Sequence, residues 1–516
     1  MAGRPLPSPT GPPSASDHQL RYRSATGRWV IGATVLGSGM AAIDATVIGI
    51  ALPAIGRDFH APLGTLQWVV TGYTLTLASL LLLGGSLGDR FGRRRIFLVG
   101  VAWFALASAA CALSSGSTQL IVTRMLQGAG GALLTPGSLA ILEASFSPEE
   151  RSAAIGAWSG LGGVATAAGP LLGGALIAAA SWRWIFVINV PLGAAVLWLS
   201  SRHVPESRDG EITGRLDLAG AGLATVALAG IAYALIEGPT RGWGSGIVLG
   251  SLFVGVGGAG LFVLAEHRSA APMLPLGLFA DQQFAVTNAV TFIVYAGLGG
   301  VLFLLPSVLQ IVDGYSPLAS GAALLPVTVV MLVFSARSGR LAAAIGPRLQ
   351  MGLGPIVVGA GLALLSLAPH GSSYATGVLP GVMALAVGLA ITVAPLTATA
   401  LNSVPERHAG LASAVNNDVA RIGGLIAVAV LPALGGITGD SYLSPPTLAH
   451  GFQRAVLIAA AWCAVGGILG AVGIRNPSPA TPESDPDSHP GPVTGTRVHC
   501  ALEATPLGQS GPSGPS

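Results

Sequence analysis

The run "GMAAIDATVIGIALP" (Gly39–Pro53) decides how the chain is read. Thirteen of its fifteen residues are apolar or small, and the other two are Thr46 and a single carboxylate, Asp44. It closes a longer apolar stretch, 29–53, near the roughly 20 residues that a bilayer-crossing helix needs. A carboxylate inside such a helix is costly in lipid, so it is expected to face a protein interior and to have a task there.

Stretches of this kind recur. The chain of 516 residues is 51% hydrophobic and 9% charged, against about 25% charged for a soluble domain. Fourteen apolar runs are read at 29–53, 66–87, 96–115, 119–142, 152–178, 184–201, 217–236, 246–265, 285–311, 318–337, 350–368, 377–401, 410–435 and 453–474. They are continuous rather than alternating, which argues against a membrane barrel. The fold class expected is an all-α integral membrane protein with 14 transmembrane helices, in contact with the lipid bilayer.

All 25 basic residues are arginines, and the net charge is +3. Nineteen arginines fall in the tails and even-numbered connections, four (Arg57, Arg183, Arg241 and Arg454) in the odd-numbered ones, and Arg124 and Arg421 inside spans. Positive charge collects on the cytoplasmic side of membrane proteins, so both termini are expected there, in the cell membrane. No basic stripe with interleaved aromatics suggests nucleic acid. Of three cysteines, Cys111 and Cys463 lie in apolar runs and Cys500 in the C-terminal tail, so no disulfide framework is implied.

Residues 1–28 and 475–516 are rich in Pro, Ser and Gly and are read as disordered cytoplasmic tails. Between them, "GGSLGDRFGRRR" (84–95) follows span 2 and "SGRLAAAIGPR" (338–348) follows span 10. If spans 7 and 8 are an insertion, these loops correspond. The plan is then 6+2+6, with residues 29–201 and 285–474 as pseudo-symmetric six-helix bundles and 202–284 as the inserted spans and linkers.

At these residues the sequence resembles the major facilitator superfamily, in its fourteen-span drug:proton antiporter branch. "GSLGDRFGRR" (85–94) is similar to the loop motif G-x-L-x-D-R-x-G-R-R. "RMLQGAGGA" (124–132) resembles the arginine motif of span 4. "GPLLGG" (169–174) resembles the antiporter motif of span 5, with Ala165 where a glycine is usual. "IDATVIGIALP" (43–53), "WRWIFVINVPLG" (182–193) and "LQIVDGYSPLASG" (309–321) are also similar to that branch. The match covers nearly everything between the tails.

Physics and resemblance together nominate residues. Asp44 lies about 20 Å along span 1 from its cytoplasmic start. Low dielectric there favours its neutral form, so it can carry a proton from one side to the other. Arg124, in the outer half of span 4, is at a depth to reach Asp44 and favour its charged form; the alternative is a fixed brace. Asp418, in "SAVNNDVARIGG" (413–424), departs from the family pattern. It either attracts a cation or carries a second proton, or else it pairs locally with Arg421 at i+3.

Gly85, Asp89, Arg90, Gly92, Arg93 and Arg94 form the cytoplasmic gating loop that the resemblance implies, with Asp89 capping a helix or pairing with an arginine in the outward-facing state. Gly169, Pro170, Gly173 and Gly174 are the span 5 motif, which the resemblance connects with sealing against proton leak; tight packing alone is the plainer reading. Trp68, Tyr73, Gln127, Asn189, Gln310, Asn416 and Asn417 are candidate cavity lining, or else interhelical contacts.

The function expected is secondary active export of hydrophobic or amphipathic small molecules in exchange for protons, with the proton as coupling ion, no cofactor and a monomeric chain. A dedicated exporter of one endogenous metabolite, or a non-transporting sensor, are the alternatives. A membrane enzyme is disfavoured, since all nine histidines fall in loops or tails and leave no intramembrane metal cluster. No G-x-x-x-x-G-K loop is present to drive pumping with ATP.

Overall fold

The computed structural model describes residues 20–208, 216–269, 272–368, 371–405 and 409–476. Residues 1–19 and 477–516, which make up most of the expected tails, lie outside these. Among the described residues there is no β-strand, and fourteen helices are long and apolar enough to cross a membrane. They are span 1 (Ala25–Phe59), span 2 (Leu63–Phe91), span 3 (Arg93–Ala112), span 4 (Ser117–Ser145), span 5 (Glu150–Ala179), span 6 (Trp184–His203) and span 7 (Leu218–Arg241). Span 8 (Gly246–Arg268), span 9 (Gln282–Ile311), span 10 (Pro317–Ile345), span 11 (Arg348–Ser366), span 12 (Val378–Asn402), span 13 (Gly410–Leu434) and span 14 (Pro445–Gly473) follow.

Each expected run has its helix, but several helices extend beyond their apolar runs. Span 1 begins at Ala25, inside the segment expected to be tail, because the Ser24 side chain caps it by accepting a hydrogen bond from Gly27 N at 3.0 Å. Such a cap satisfies one of the orphan donors of a first helical turn. Just upstream, Leu20 N donates to Ser145 O at 2.8 Å and Tyr22 N to Glu150 Oε2 at 2.5 Å. The chain is thereby tied to the connection between spans 4 and 5. At the other end Asn476 does the same for the connection between spans 10 and 11, accepting from Arg348 N at 3.1 Å and donating to Ile345 O at 3.2 Å.

Two spans are broken by proline. Span 6 consists of Trp184–Val187 and Asn189–His203, and Pro191 has no N–H to offer the Val187 carbonyl. Span 10 consists of Pro317–Ala322 and Leu325–Ile345, with Pro326 in the matching place. In both, the proline removes the i to i−4 bond that would tie the two pieces together.

The packing repeats. Span 4 lies against spans 2 and 3, and span 1 against spans 5 and 6. In the second half span 12 lies against spans 10 and 11, and span 9 against spans 13 and 14. Spans 7 and 8 pack on each other, and span 7 also touches span 2 and span 13, so it straddles the seam between the halves. There Ala232 packs with Leu75 and Leu425, and the Trp68 and Tyr233 rings meet at 6.2 Å.

The halves join at the face away from the chain ends, here the distal face. Gln310 Nε2 donates to Ile50 O at 3.0 Å, Gln67 Nε2 to Val428 O at 2.7 Å, Tyr442 Oη to Ala61 O at 2.8 Å and Leu63 N to Gly439 O at 2.9 Å. One apolar cluster spans both halves there, with Ile48, Leu52 and Ile55 from span 1 and Leu304, Leu305 and Val308 from span 9. Toward the face that carries the chain ends, each half keeps its own cluster: Phe97, Phe104 and Phe146 in the first, and Phe284, Ala412 and Val415 in the second.

Candidate functional site: a buried acid held by four spans

Asp44 projects from the middle of span 1 into the first half, away from lipid, and is 3% exposed; Arg124 is 0% exposed. The two meet at 2.6 Å between Nη1 and Oδ2. The other carboxylate oxygen, Oδ1, accepts from Gln127 Nε2 at 2.8 Å and from Asn189 Nδ2 at 3.2 Å. Span 4 supplies both Arg124 and Gln127 because residues three apart share a helix face, and Arg124 Nη1 also donates to Gln127 Oε1 at 2.7 Å. Arg124 Nε donates to Val69 O at 3.2 Å, and the guanidinium lies 4.2 Å from the Tyr73 ring centroid and 5.7 Å from that of Phe186.

Ser108 of span 3 completes the cluster. Its hydroxyl donates to Phe186 O at 2.9 Å and accepts from Asn189 Nδ2 at 3.0 Å and Gln127 Nε2 at 3.3 Å. A buried charge is tolerated when it is paired and its remaining lone pairs are bonded, and Asp44 meets both conditions. Protonating it removes the charge that Arg124 compensates, so the proton state of one carboxyl bears on contacts from spans 1, 2, 3, 4 and 6.

Three residues nominated as cavity lining, Tyr73, Gln127 and Asn189, belong to this cluster. The others stand elsewhere. Trp68 faces span 7, Gln310 bonds across the halves, Asn416 Nδ2 donates to Asn288 Oδ1 at 3.1 Å and Thr291 Oγ1 at 2.8 Å, and exposed Asn417 bonds Ser413 O at 3.0 Å. Asp418 is 8% exposed, and no ion pair with Arg421 forms among the described residues. Asp418 Oδ1 and Arg421 Nε each lack a hydrogen-bond partner. The local pair weighed from the i+3 spacing is therefore not made.

The gating loop is almost all helix. Span 2 runs on to Phe91 and span 3 restarts at Arg93, so Gly85, Asp89 and Arg90 are helical and Gly92 alone makes the turn, with φ of 110°. Such a φ is costly for residues with a Cβ. Asp89 Oδ1 accepts from Arg93 Nε at 2.8 Å across this turn rather than capping another helix. Glu206, which the sequence did not flag, holds the start of span 3: its Oε1 accepts from Arg94 N at 3.1 Å, and its Oε2 lies 3.6 Å from Arg95 Nε. Arg94 Nη1 donates to Val204 O at 3.0 Å.

The span 5 motif links Asp44's helix to the second half. A Cβ on Gly169 would lie 2.1 Å from Thr46 Oγ1, and one on Gly173 would lie 2.7 Å from Val47 Cγ1. Gly174 abuts Leu318 of span 10, and Pro170 O abuts Gly321. Ala165 sits against Gly39 of span 1, at 3.2 Å from where a Cβ there would lie. Ser108 and Glu206 escaped the sequence reading because a small hydroxyl in an apolar helix, or an acid just past a helix end, carries no spacing that announces a partner.

The major facilitator superfamily profile matches residues 34–428, most of the chain. The chain belongs to the major facilitator superfamily. It is 38% identical over 401 residues to the multidrug resistance protein Stp of Mycobacterium tuberculosis, covering 77% of this chain and 74% of that one. It is 37% identical over 402 residues to the tetracenomycin C resistance and export protein of Streptomyces glaucescens, covering 78% and 74%. Among solved structures, a bacterial homologue of the human lysosomal transporter Spinster, inward-facing and unoccupied, aligns with a TM-score of 0.63 at 18% identity, over 87% of this chain and 97% of that one. The peptide transporter POT in complex with sulfate aligns with a TM-score of 0.63 at 13% identity, over 88% and 96%. As a member of this superfamily the chain is a multi-pass membrane transporter, and the fold agrees.

Proposed function

We propose that this transporter exports hydrophobic or amphipathic small molecules from the cell in exchange for protons, with Asp44 carrying the proton. The observation that carries this reading is the 2.6 Å contact between Asp44 and Arg124, both buried and both bonded further by uncharged partners. A cation beside a carboxylate favours the charged form, so moving the guanidinium away favours protonation, and protonation frees the guanidinium to move. Residues 29–201 and 285–474 act as the two bundles that tilt, and 202–284 as the insertion.

Both termini are cytoplasmic in this reading, in the plasma membrane, and the chain works as a monomer without a cofactor. The distal face is then the outer one, and closure there corresponds to an inward-facing state. Gly85, Asp89, Arg90, Gly92, Arg93 and Arg94 belong to the cytoplasmic gate, which stands open in this state. Here Asp89 pairs with Arg93 at 2.8 Å within its own half, and this contact is not the pairing expected for the outward-facing state. Gly169, Pro170, Gly173 and Gly174 keep spans 1, 5 and 10 sealed outside. Asp418 serves the same cycle from the second half, as an unpaired acid.

Drug efflux fits the names of relatives, one a multidrug resistance protein. Others favour a narrower reading, export of a single antibiotic, since two are a tetracenomycin C export protein and a methylenomycin A resistance protein. Vesicle efflux with a panel of chemically unrelated dyes separates the two, since a dedicated exporter moves few of them. Proton coupling is tested in the same vesicles with Asp44→Asn. Driven by one proton per cycle, a gradient of one pH unit supports about tenfold accumulation. The variant should lose this accumulation while still binding substrate. Unchanged pH-driven export would remove Asp44 from the cycle.

A further inference from the structure

One member of the Asp44 cluster has an unused bonding atom. Asn189 gives its Nδ2 to Asp44 Oδ1 at 3.2 Å and to Ser108 Oγ at 3.0 Å. Its Oδ1 is buried and has no hydrogen-bond partner. An orphaned buried acceptor in a native structure calls for a reason, and its neighbours supply one.

Ionised, Asp44 only accepts; protonated, it must also donate. Its other bonded partners serve the first state alone. Arg124 has no acceptor. Gln127 Oε1 is already taken by Arg124 Nη1 at 2.7 Å. Asn189 Oδ1 is the acceptor left free among the bonded members of the cluster. A half-turn of the amide about χ2 exchanges Nδ2 for Oδ1, and that terminal torsion is broad and roughly two-fold. Turning the amide exchanges the orphaned Oδ1 for an unbonded Nδ2, so each orientation carries an unmet polar atom, and the donor bond to the charged carboxylate remains the stronger of the two. Asn189 is also the first residue after the proline break of span 6, where the helix is already interrupted.

We infer that Asn189 is a positioning residue that turns its amide with the proton state of Asp44, donating to the carboxylate and accepting from the carboxylic acid. The proton enters on Asp44 Oδ1, and the O–H so formed donates to Asn189 Oδ1. This rests on Asp44 being the proton carrier. The ionisable groups around Asp44 are Arg124 of span 4, Tyr73 of span 2, which lies under that guanidinium, and Cys111 of span 3, whose Sγ is 3.5 Å from Gln127 Oε1. Spans 5, 6, 9 and 10 also pack on span 1 and bring no ionisable side chain within bonding distance of Asp44 among the described residues.

The test is infrared difference spectroscopy of the full-length protein in lipid between high and low pH, with asparagine isotope-labelled at the side-chain amide. The expected result is a shift of an asparagine amide band that accompanies protonation of a carboxyl. The shift should disappear in Asn189→Leu and also in Asp44→Asn. Asn189→Ser, whose hydroxyl can donate or accept, should keep the pH midpoint of export. Asn189→Leu should raise it by about half to one unit, since a lost donor to a charged acceptor outweighs a lost neutral bond. An amide band that does not respond to pH, or that responds still in Asp44→Asn, overturns the inference. Wild-type export that is indifferent to pH overturns the proton reading beneath it, which is a separable result.

Discussion

Replacing Arg124 by glutamine removes the cation from the closed cluster and leaves its acid behind. Arg124 is fully buried and makes hydrogen bonds at 2.6 Å to Asp44, 2.7 Å to Gln127 and 3.2 Å to Val69 O, besides its contact with the Tyr73 ring. Removing one partner of such a pair typically costs about 3–5 kcal/mol, because the other charge stays buried without compensation. Removing both costs much less, since no charge is then left to desolvate. Arg124→Gln and Asp44→Asn should therefore each destabilise strongly, and the double variant should be more stable than either single one. The interaction energy in the double-mutant cycle should then exceed the larger of the two single losses, at least about 3–5 kcal/mol. Denaturant unfolding of the four proteins in the same detergent, followed by tryptophan fluorescence, measures it. If the two single losses simply add in the double variant, the charges do not depend on each other and the pair is no coupling device. The double variant should also fail at pH-driven export despite its regained stability, which separates coupling from folding.

Four further outcomes follow from contacts elsewhere. Gly174→Leu would place a side chain where even a Cβ would lie 2.6 Å from Leu318 Cα and Pro317 O; distal closure should be blocked, and cysteine cross-linking between spans 5 and 10 at that face should fall. Gln67→Leu deletes the bonds to Val428 O at 2.7 Å and Ala429 O at 3.2 Å that join the halves; distal accessibility to water-soluble thiol reagents should rise, with stability changed by about 1 kcal/mol. Glu206→Gln weakens the hold on Arg94 N and Arg95, and hydrogen exchange at the start of span 3 should quicken. Asp58→Asn removes an ion pair to Arg183 of 2.7 Å whose side chains are 42% and 36% exposed; such exposed pairs contribute about 0–1 kcal/mol, so the unfolding midpoint should shift little, and less still in high salt.

The sequence alone determined the number and approximate placement of the helices, because lipid leaves a chain one economical option. Every backbone polar group must be bonded within the span, so each run of some twenty apolar residues is a helix whatever surrounds it. It also singled out Asp44 and Arg124, since charges are so rare in such runs that each one is conspicuous. Helix ends were less legible: span 1 starts at Ala25 because Ser24 caps it, and spans 2 and 3 nearly touch because Gly92 turns the chain in one residue, and both residues lie outside the apolar windows. What only the tertiary structure decided is who meets whom. Gln127 and Asn189 have the composition of cavity residues, yet they bond Asp44, whereas Asp418 and Arg421, placed three apart on one helix, do not pair. Those outcomes depend on how five helices rotate about their axes and at what depth they cross. Packing against neighbours far away in the chain sets both quantities, and hydrophobicity along the sequence is blind to them.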